Sequence, residues 1–192
     1  YDYEFSRLFY QCASLTTAPV LPSTTLTDYC YGEMFYGCLN LVTAPALPST
    51  KLTEGCYEGM FFECTSLVTA PALHSNTLAD YCYNNMFYGC TSLVTAPALP
   101  ANTLAVYCYK EMFKECRSLV TAPELPATVL ASDCYNGMFS FCTNLNYIKC
   151  AAREYNSNCF TDWLENVAPT GDFYCYDSSI FPTGNSGIPT GW

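Results

Sequence analysis

Basic residues, histidine and long apolar runs are scarce in this chain, and each scarcity removes a class of function. Seven Lys and Arg stand against seventeen Asp and Glu, a formal net charge of -10. No basic cluster relieves that balance, so nucleic acid and anionic lipid surfaces, whose binding rests on neutralising phosphates, are poor partners. The one histidine, His74, occupies the place that Pro48, Pro100 and Pro126 hold in sister segments. It reads as a turn substitution without the convergent partners that a base or metal ligand needs. No Gly-x-Ser-x-Gly elbow, phosphate-binding glycine loop, dinucleotide fingerprint or EF-hand-like loop occurs. Glu33, Glu58, Glu111 and Glu115 could in principle pair as glycosidase carboxylates. They fall on variable outer positions, where solvated charge is the ordinary reading. The chain is therefore expected to be no enzyme and to carry no cofactor or metal. No stretch approaches the roughly 18 apolar residues of a membrane helix. No charged-then-apolar leader precedes Tyr1, so a soluble product, mature or trimmed and without membrane insertion, is expected.

What is present is apolar and periodic. Hydrophobic residues make up 51% of the chain and charged ones 12%, which excludes disorder. A chain of 192 residues suits one continuous core. Cys12, Cys38, Cys64, Cys90, Cys116 and Cys142 recur every 26 residues, and so do Cys30, Cys56, Cys82, Cys108 and Cys134. They punctuate one template: Cys30-Tyr31-x-x-Met34-Phe35-x-x-Cys38-x-x-Leu41-Val42-Thr43-Ala44-Pro45-x-Leu47-Pro48-x-x-x-Leu52. The period lies in the leucine-rich-repeat range. A unit this small cannot bury its own apolar residues, so neighbours must stack and share a core. Within one unit, Cys56 to Phe61 has apolar residues at helical spacing and predicts a short convex helix. Leu67-Val68-Thr69-Ala70-Pro71 predicts a short concave strand clipped by Pro71, with Leu67, Ala70 and Leu73 pointing inward. The expected fold is thus an α/β solenoid, a right-handed leucine-rich-repeat coil of 26-residue repeats, with residues 1–148 as the solenoid and 149–192 as a C-terminal cap.

The Cys-x-x-Leu-x-x-x-Pro-x-Leu-Pro segment followed by Met-Phe-x-x-Cys, as from Cys64 to Cys90, resembles the BspA-like leucine-rich repeats of bacterial surface proteins. The likeness runs from about Asp2 to Cys142. The tail from Asn158-Cys159-Phe160-Thr161-Asp162-Trp163-Leu164 to Gly187-Ile188-Pro189-Thr190-Gly191-Trp192 is similar to the closing segment of such proteins. The resemblance implies a secreted or cell-surface protein, often an adhesin, and similar repeats occur in phage-associated proteins. One departure matters: most relatives carry an Ile-Gly or Asn-rich step where this chain places its second cysteine series. At the N-terminal end Glu4 replaces the first template cysteine and Leu8 replaces the methionine. At the other end Phe173-Tyr174-Cys175-Tyr176 suggests a strand, followed by an extended arm over the last coil.

Fourteen cysteines, an even number in a secreted-looking chain, suggest disulfides. No Cys-x-x-Cys occurs and the closest pairs are eight apart, which argues against zinc. Pairing each cysteine with the one eight later strands Cys12 and Cys159. Pairing across units joins Cys12 with Cys30, Cys38 with Cys56, Cys64 with Cys82, Cys90 with Cys108, Cys116 with Cys134 and Cys142 with Cys159, leaving Cys150 with Cys175. The competing reading is a ladder of buried thiols filling space. Both stay open on the sequence.

With chemistry absent, candidate sites are surfaces. One is the concave strip of Thr43, Thr69, Thr95 and Thr121 beside Val42, Val68, Val94 and Val120, although such uniformity is also what stacking alone demands. The other is the outer face, where Tyr36, Phe62 and Tyr88 could anchor a partner. The column Tyr31, Tyr57, Tyr83, Tyr109 and Tyr135 reads as structural. The expected function is recognition of a protein or carbohydrate ligand outside the cell; the alternative is a spacer or fibre part of an envelope or phage assembly.

Overall fold

Each 26-residue unit completes one lap, and equivalent residues of successive laps lie side by side. The computed structural model describes residues 2–192; Tyr1, the first residue of the expected solenoid, lies outside them. On the concave side the contact is parallel pairing, with bridges Thr17 to Thr43, Thr43 to Thr69, Thr69 to Thr95 and Thr121 to Tyr147. The strand expected over Leu67 to Pro71 is thus reduced to a one-residue bridge at Thr69, because Pro71 has no N–H to extend a ladder. Only at the C-terminal end, where the prolines stop, do true strands form. Here β1 (Tyr147–Cys150) pairs in parallel with β2 (Asp172–Cys175).

The convex helices expected from segments such as Cys56 to Phe61 are not formed: among the described residues there is no α-helix, only one 3-10 turn at Ser178–Ile180. Instead the backbone runs as a train of four-residue turns. Alternate N–H groups close these turns, as Gly32 to the Tyr29 carbonyl (2.9 Å), Met34 to Tyr31 (3.2 Å) and Tyr36 to Glu33 (3.0 Å). The N–H groups between them reach forward to the next coil, as Tyr31 to the Cys56 carbonyl (3.1 Å), Glu33 to Glu58 (2.7 Å) and Phe35 to Met60 (2.9 Å). Every fourth residue takes a left-handed φ, for example Tyr29 (55°), Glu33 (53°) and Gly37 (68°). A left-handed non-glycine residue costs about 1–2 kcal/mol, and the donor it aims at the neighbouring coil offsets that cost. The reason a helix loses is spacing. Coils bridged like strands sit about 4.8 Å apart, whereas a helix with its side chains is about 10–12 Å across. A convex helix in every lap would splay the coils on that side into a horseshoe and break the forward hydrogen bonds that join them here.

The core follows the columns. Met60, Met86, Met112 and Met138, and Phe35, Phe61, Phe87, Phe113 and Phe139, are fully buried, as are Leu41, Leu67, Leu93, Leu119 and Leu145. Successive phenylalanine rings stack at 5.6 Å from Phe35 to Phe139. The Tyr31, Tyr57, Tyr83, Tyr109 and Tyr135 column is buried and stacked in the same way, at 5.9 to 6.2 Å.

The cysteines stand in the same rows. All fourteen are free thiols, Cys12 exposed, Cys175 half-buried and the other twelve buried. In one row each thiol donates to the carbonyl of the phenylalanine 29 residues earlier: Cys38 to Phe9, Cys64 to Phe35, Cys90 to Phe61 and Cys116 to Phe87, all at 3.1 Å, and Cys142 to Phe113 at 2.9 Å. Each of these carbonyls already closes a turn with the N–H three residues on, and the sulfur gives it a second donor inside an apolar wall, which an aliphatic side chain cannot do. The electrostatic neighbours of Cys116 are Cys142 and Cys90, and that of Cys64 is Cys38. Within each series the thiols of successive coils neighbour each other. In the second row Cys159 donates to the Ala131 carbonyl at 2.8 Å, and the neighbouring Cys159 together with burial pushes the Cys134 thiol up. Cys150 and Cys175 are directly paired across β1 and β2.

Past residue 148 the coil geometry runs on. Phe139 and Phe141 donate to the Trp163 and Glu165 carbonyls, and Asp162 and Asn166 take the left-handed φ of the earlier turns. The remaining chain folds back over this coil. Leu164 donates to the Asn185 carbonyl (3.0 Å), Trp163 Nε1 to Gly187 (3.0 Å) and Trp192 Nε1 to Ala168 (2.8 Å). Phe181 is buried against Phe160 and Phe173.

Candidate functional site

The concave face is built by the bridges. Because Leu67 turns into the core, its neighbours Val68 and Thr69 are left on the solvent side. The same holds in each lap, so Thr43, Thr69, Thr95 and Thr121 are exposed. Val42, Val68, Val94 and Val120 are between 42% and 54% exposed, an unusual setting for a column of β-branched apolar residues. The structure thus gathers these eight residues into one continuous strip. At its C-terminal end the strip meets Asn146 and Tyr147.

The outer residues Tyr36, Phe62 and Tyr88 are brought together differently. Their half-buried rings continue a stack that begins at the exposed Tyr10, with centroids 4.7, 4.6 and 4.4 Å apart. Lys114 Nζ closes the stack 5.5 Å from the Tyr88 ring, and the Tyr88 hydroxyl donates to Glu115 at 3.1 Å. The faces of these rings are taken up by one another, so only their edges are offered to a partner.

The remaining candidates are dispersed. His74 is an exposed loop residue between Leu73 and Ser75. Glu33 is held by Arg7 (2.7 Å), Glu111 by Lys114 (2.8 Å) and Glu115 by Arg117 (3.1 Å). Burial raises the Glu58 carboxyl above the usual range, opposed by a hydrogen bond from Asn84 Nδ2 (2.7 Å). Among the described residues no three His, Cys, Asp or Glu side chains converge as a metal site. No helix among them is long and apolar enough to cross a membrane.

One surface was not read from the sequence. A groove to one side of the concave strip, further along the last coils, is lined by Leu125, Lys149, Cys150, Arg153, Tyr174 and Tyr176. Tyr174 and Tyr176 are exposed, Arg153 lies 5.0 Å from the Tyr176 ring centroid, and Lys149 pairs with Glu124 at 2.8 Å. The signal was the alternation in Phe173-Tyr174-Cys175-Tyr176: on a strand, period two sends Phe173 and Cys175 inward and both tyrosines outward.

No protein-family model matches the chain, and no curated protein sequence is significantly similar to it. Among solved structures, a leucine-rich repeat protein of T. pallidum superimposes with a TM-score of 0.50 at 20% identity, covering 78% of this chain. The chain spans 63% of that protein's length. A leucine-rich repeat protein of Bacteroides ovatus, also 20% identical, matches over 78% of this chain and 41% of its own, with a TM-score of 0.41. With its 26-residue laps, bridged concave face and shared leucine core, the chain has a leucine-rich-repeat solenoid fold.

Proposed function

We propose that this chain is a non-enzymatic recognition module, secreted or held at the cell surface, that binds a protein partner along its concave strip. The observation that carries this is the exposed valine column. Four half-exposed β-branched side chains in a row, each flanked by a threonine hydroxyl, offer apolar area with regularly placed hydrogen-bonding groups. The groove with Tyr174 and Tyr176 flanks the strip and adds the aromatic and cationic side chains that dominate binding energy at protein interfaces. A carbohydrate ligand is less well served on the outer face, because the ring faces that sugars stack on are already paired.

The test is a binding screen of the full-length gene product against host surface proteins and a glycan array, repeated with Val68→Asp/Val94→Asp. Both positions are exposed, so the variant should keep the wild-type circular dichroism while losing the protein partner. Silence of the wild type on both panels, or equal binding by the variant, would defeat the reading. A second reading, a spacer in an envelope or phage assembly, is favoured by the repetition of the backbone ladder. It predicts ordered arrays of the chain in assembled particles.

A further inference from the structure

The last coils depart from the template along one column. Glu124 stands where Ala46, Ala72 and Ala98 stand in earlier units, and the pairing of β1 sets Lys149 and then Tyr174 beside it in register. Stacking alone asks for nothing larger than alanine at this place, since three coils manage with it. Leu125 and Cys150 are buried, while Pro126, Ala151 and Tyr176, the next residue in each row, reach the surface. Together these residues line a groove of about 400 Å³, a size within the roughly 300–1,000 Å³ of ligand pockets. Its floor is apolar, formed by Leu125, Pro126, Cys150 and Ala151. Its charged groups are the Lys149–Glu124 pair, already closed at 2.8 Å, and Arg153.

Arg153 is placed differently from the other cations. Its backbone is held by the bond from its N–H to the Thr128 carbonyl (3.3 Å), and its exposed guanidinium lies over the Tyr176 ring, 5.0 Å from the centroid. Arg7, Lys114, Arg117 and Lys149 each pair with a carboxylate. Among the described residues none pairs with Arg153, although acids outnumber bases seventeen to seven. Even Glu154, next in sequence, lines a separate hollow with Val129 and Tyr155. A guanidinium laid on a ring is held in one plane, with its fork of N–H donors directed outward along that plane. That is the geometry that grips a carboxylate through two parallel bonds.

We propose that this groove takes an acidic segment of the protein partner: an Asp or Glu carboxylate is forked by Arg153, and an adjacent apolar side chain packs on the floor of Leu125 and Ala151. The proposal rests on the reading of the chain as a protein-binding module and names what the partner must present. Tyr174 and Tyr176, 52% and 75% exposed, wall the apolar side chain in. A sugar fits worse, because the apolar floor would leave its hydroxyls without partners. A basic segment would set like charge against Arg153.

In the test, random decapeptides displayed on yeast are selected on the intact chain, which should enrich those with Asp or Glu next to an apolar residue. The strongest binder, as a free peptide, should bind Arg153→Gln at least about tenfold more weakly, the loss expected for one charge-assisted fork. Arg153→Lys should restore only part of that loss. Cys175 lines the groove and Cys12 does not, so bound peptide should slow iodoacetamide at Cys175 and leave Cys12 unchanged. Val68→Asp/Val94→Asp should bind the peptide like the wild type, which separates loss of a partner from the strip from loss of a ligand from the groove. No enrichment of acidic peptides, equal binding by Arg153→Gln, or an unprotected Cys175 would overturn the proposal. So would an oligoglucuronate that binds through Arg153 while no peptide is enriched, since the occupant would then be an acidic sugar.

Discussion

Replacing Phe87 by alanine tests whether stability resides in the stacked columns. Phe87 is fully buried between Phe61 and Phe113, each 5.6 Å away. Removing such a ring costs about 3–5 kcal/mol, part of it lost transfer energy and part the cavity left behind. Phe9 occupies the equivalent place in the first coil but is half-buried, with Phe35 as its one ring neighbour at 5.5 Å. Its truncation should cost roughly half as much, about 1.5–2.5 kcal/mol on the same scale. For a chain of this length each kcal/mol shifts the melting temperature by about 2–4 °C. Phe87→Ala should therefore lower it by about 6–20 °C and Phe9→Ala by about 3–10 °C. Urea titrations should be followed by far-ultraviolet circular dichroism, which reports all coils, and by tryptophan fluorescence, which reports the C-terminal end through Trp163 and Trp192. Equal losses for the two variants, or a loss under about 1 kcal/mol for Phe87→Ala, would refute the idea that each coil supplies a wall to both neighbours.

Burial pushes the thiols up, Cys38 to about 11 and Cys56, Cys108 and Cys150 to about 12, from an ordinary value of 9.0. These groups stay protonated in the fold after the unfolded chain has lost its protons, so their stabilisation is complete below about pH 9 and falls as pH rises toward 11–12. Each such thiol contributes a slope of about 1.4 kcal/mol per pH unit in that window, and a flat urea midpoint from pH 8 to 11 would contradict this. Iodoacetamide on the native, unreduced protein should modify Cys12 and Cys175 first and reach the twelve buried thiols only on unfolding; mass spectrometry showing rapid modification of Cys90 would deny its burial. Gly55 sits at a φ of +56° with the Tyr29 ring occupying the space of a side chain, so Gly55→Ala should lose about 1–2 kcal/mol. An unchanged melting temperature would show that the ring swings away freely.

The inward columns were legible because burial depends on residue type and period, and both recur every 26 residues. The convex backbone was misread although its signal was present. Cys30, Met34 and Cys38, with Tyr31 and Phe35, are spaced by a strict four. A helix advances 3.6 residues per turn, so a strict four drifts around its surface, whereas a train of four-residue turns keeps it in line. Glycine, asparagine and aspartate at the left-handed positions, such as Gly59, Asn85 and Asp133, mark the same geometry. They are scattered among Tyr and Glu, which hides them from a local reading. Of the surfaces, the Val/Thr strip followed from the inward spacing of Leu67, Ala70 and Leu73, which leaves the two residues between leucine and alanine outside. The Tyr174 and Tyr176 groove did not, since it arises only where β2 meets the last proline-free coil.

The alignment of the forward hydrogen bonds with the axis of the stack has a mechanical consequence. A pull along that axis loads the junctions between coils in series, so all carry the same force and the weakest yields first. A pull across the axis shears a whole row of bonds together. The molecule should peel lap by lap under tension between its ends, in small steps of similar force, and resist a sideways load far better.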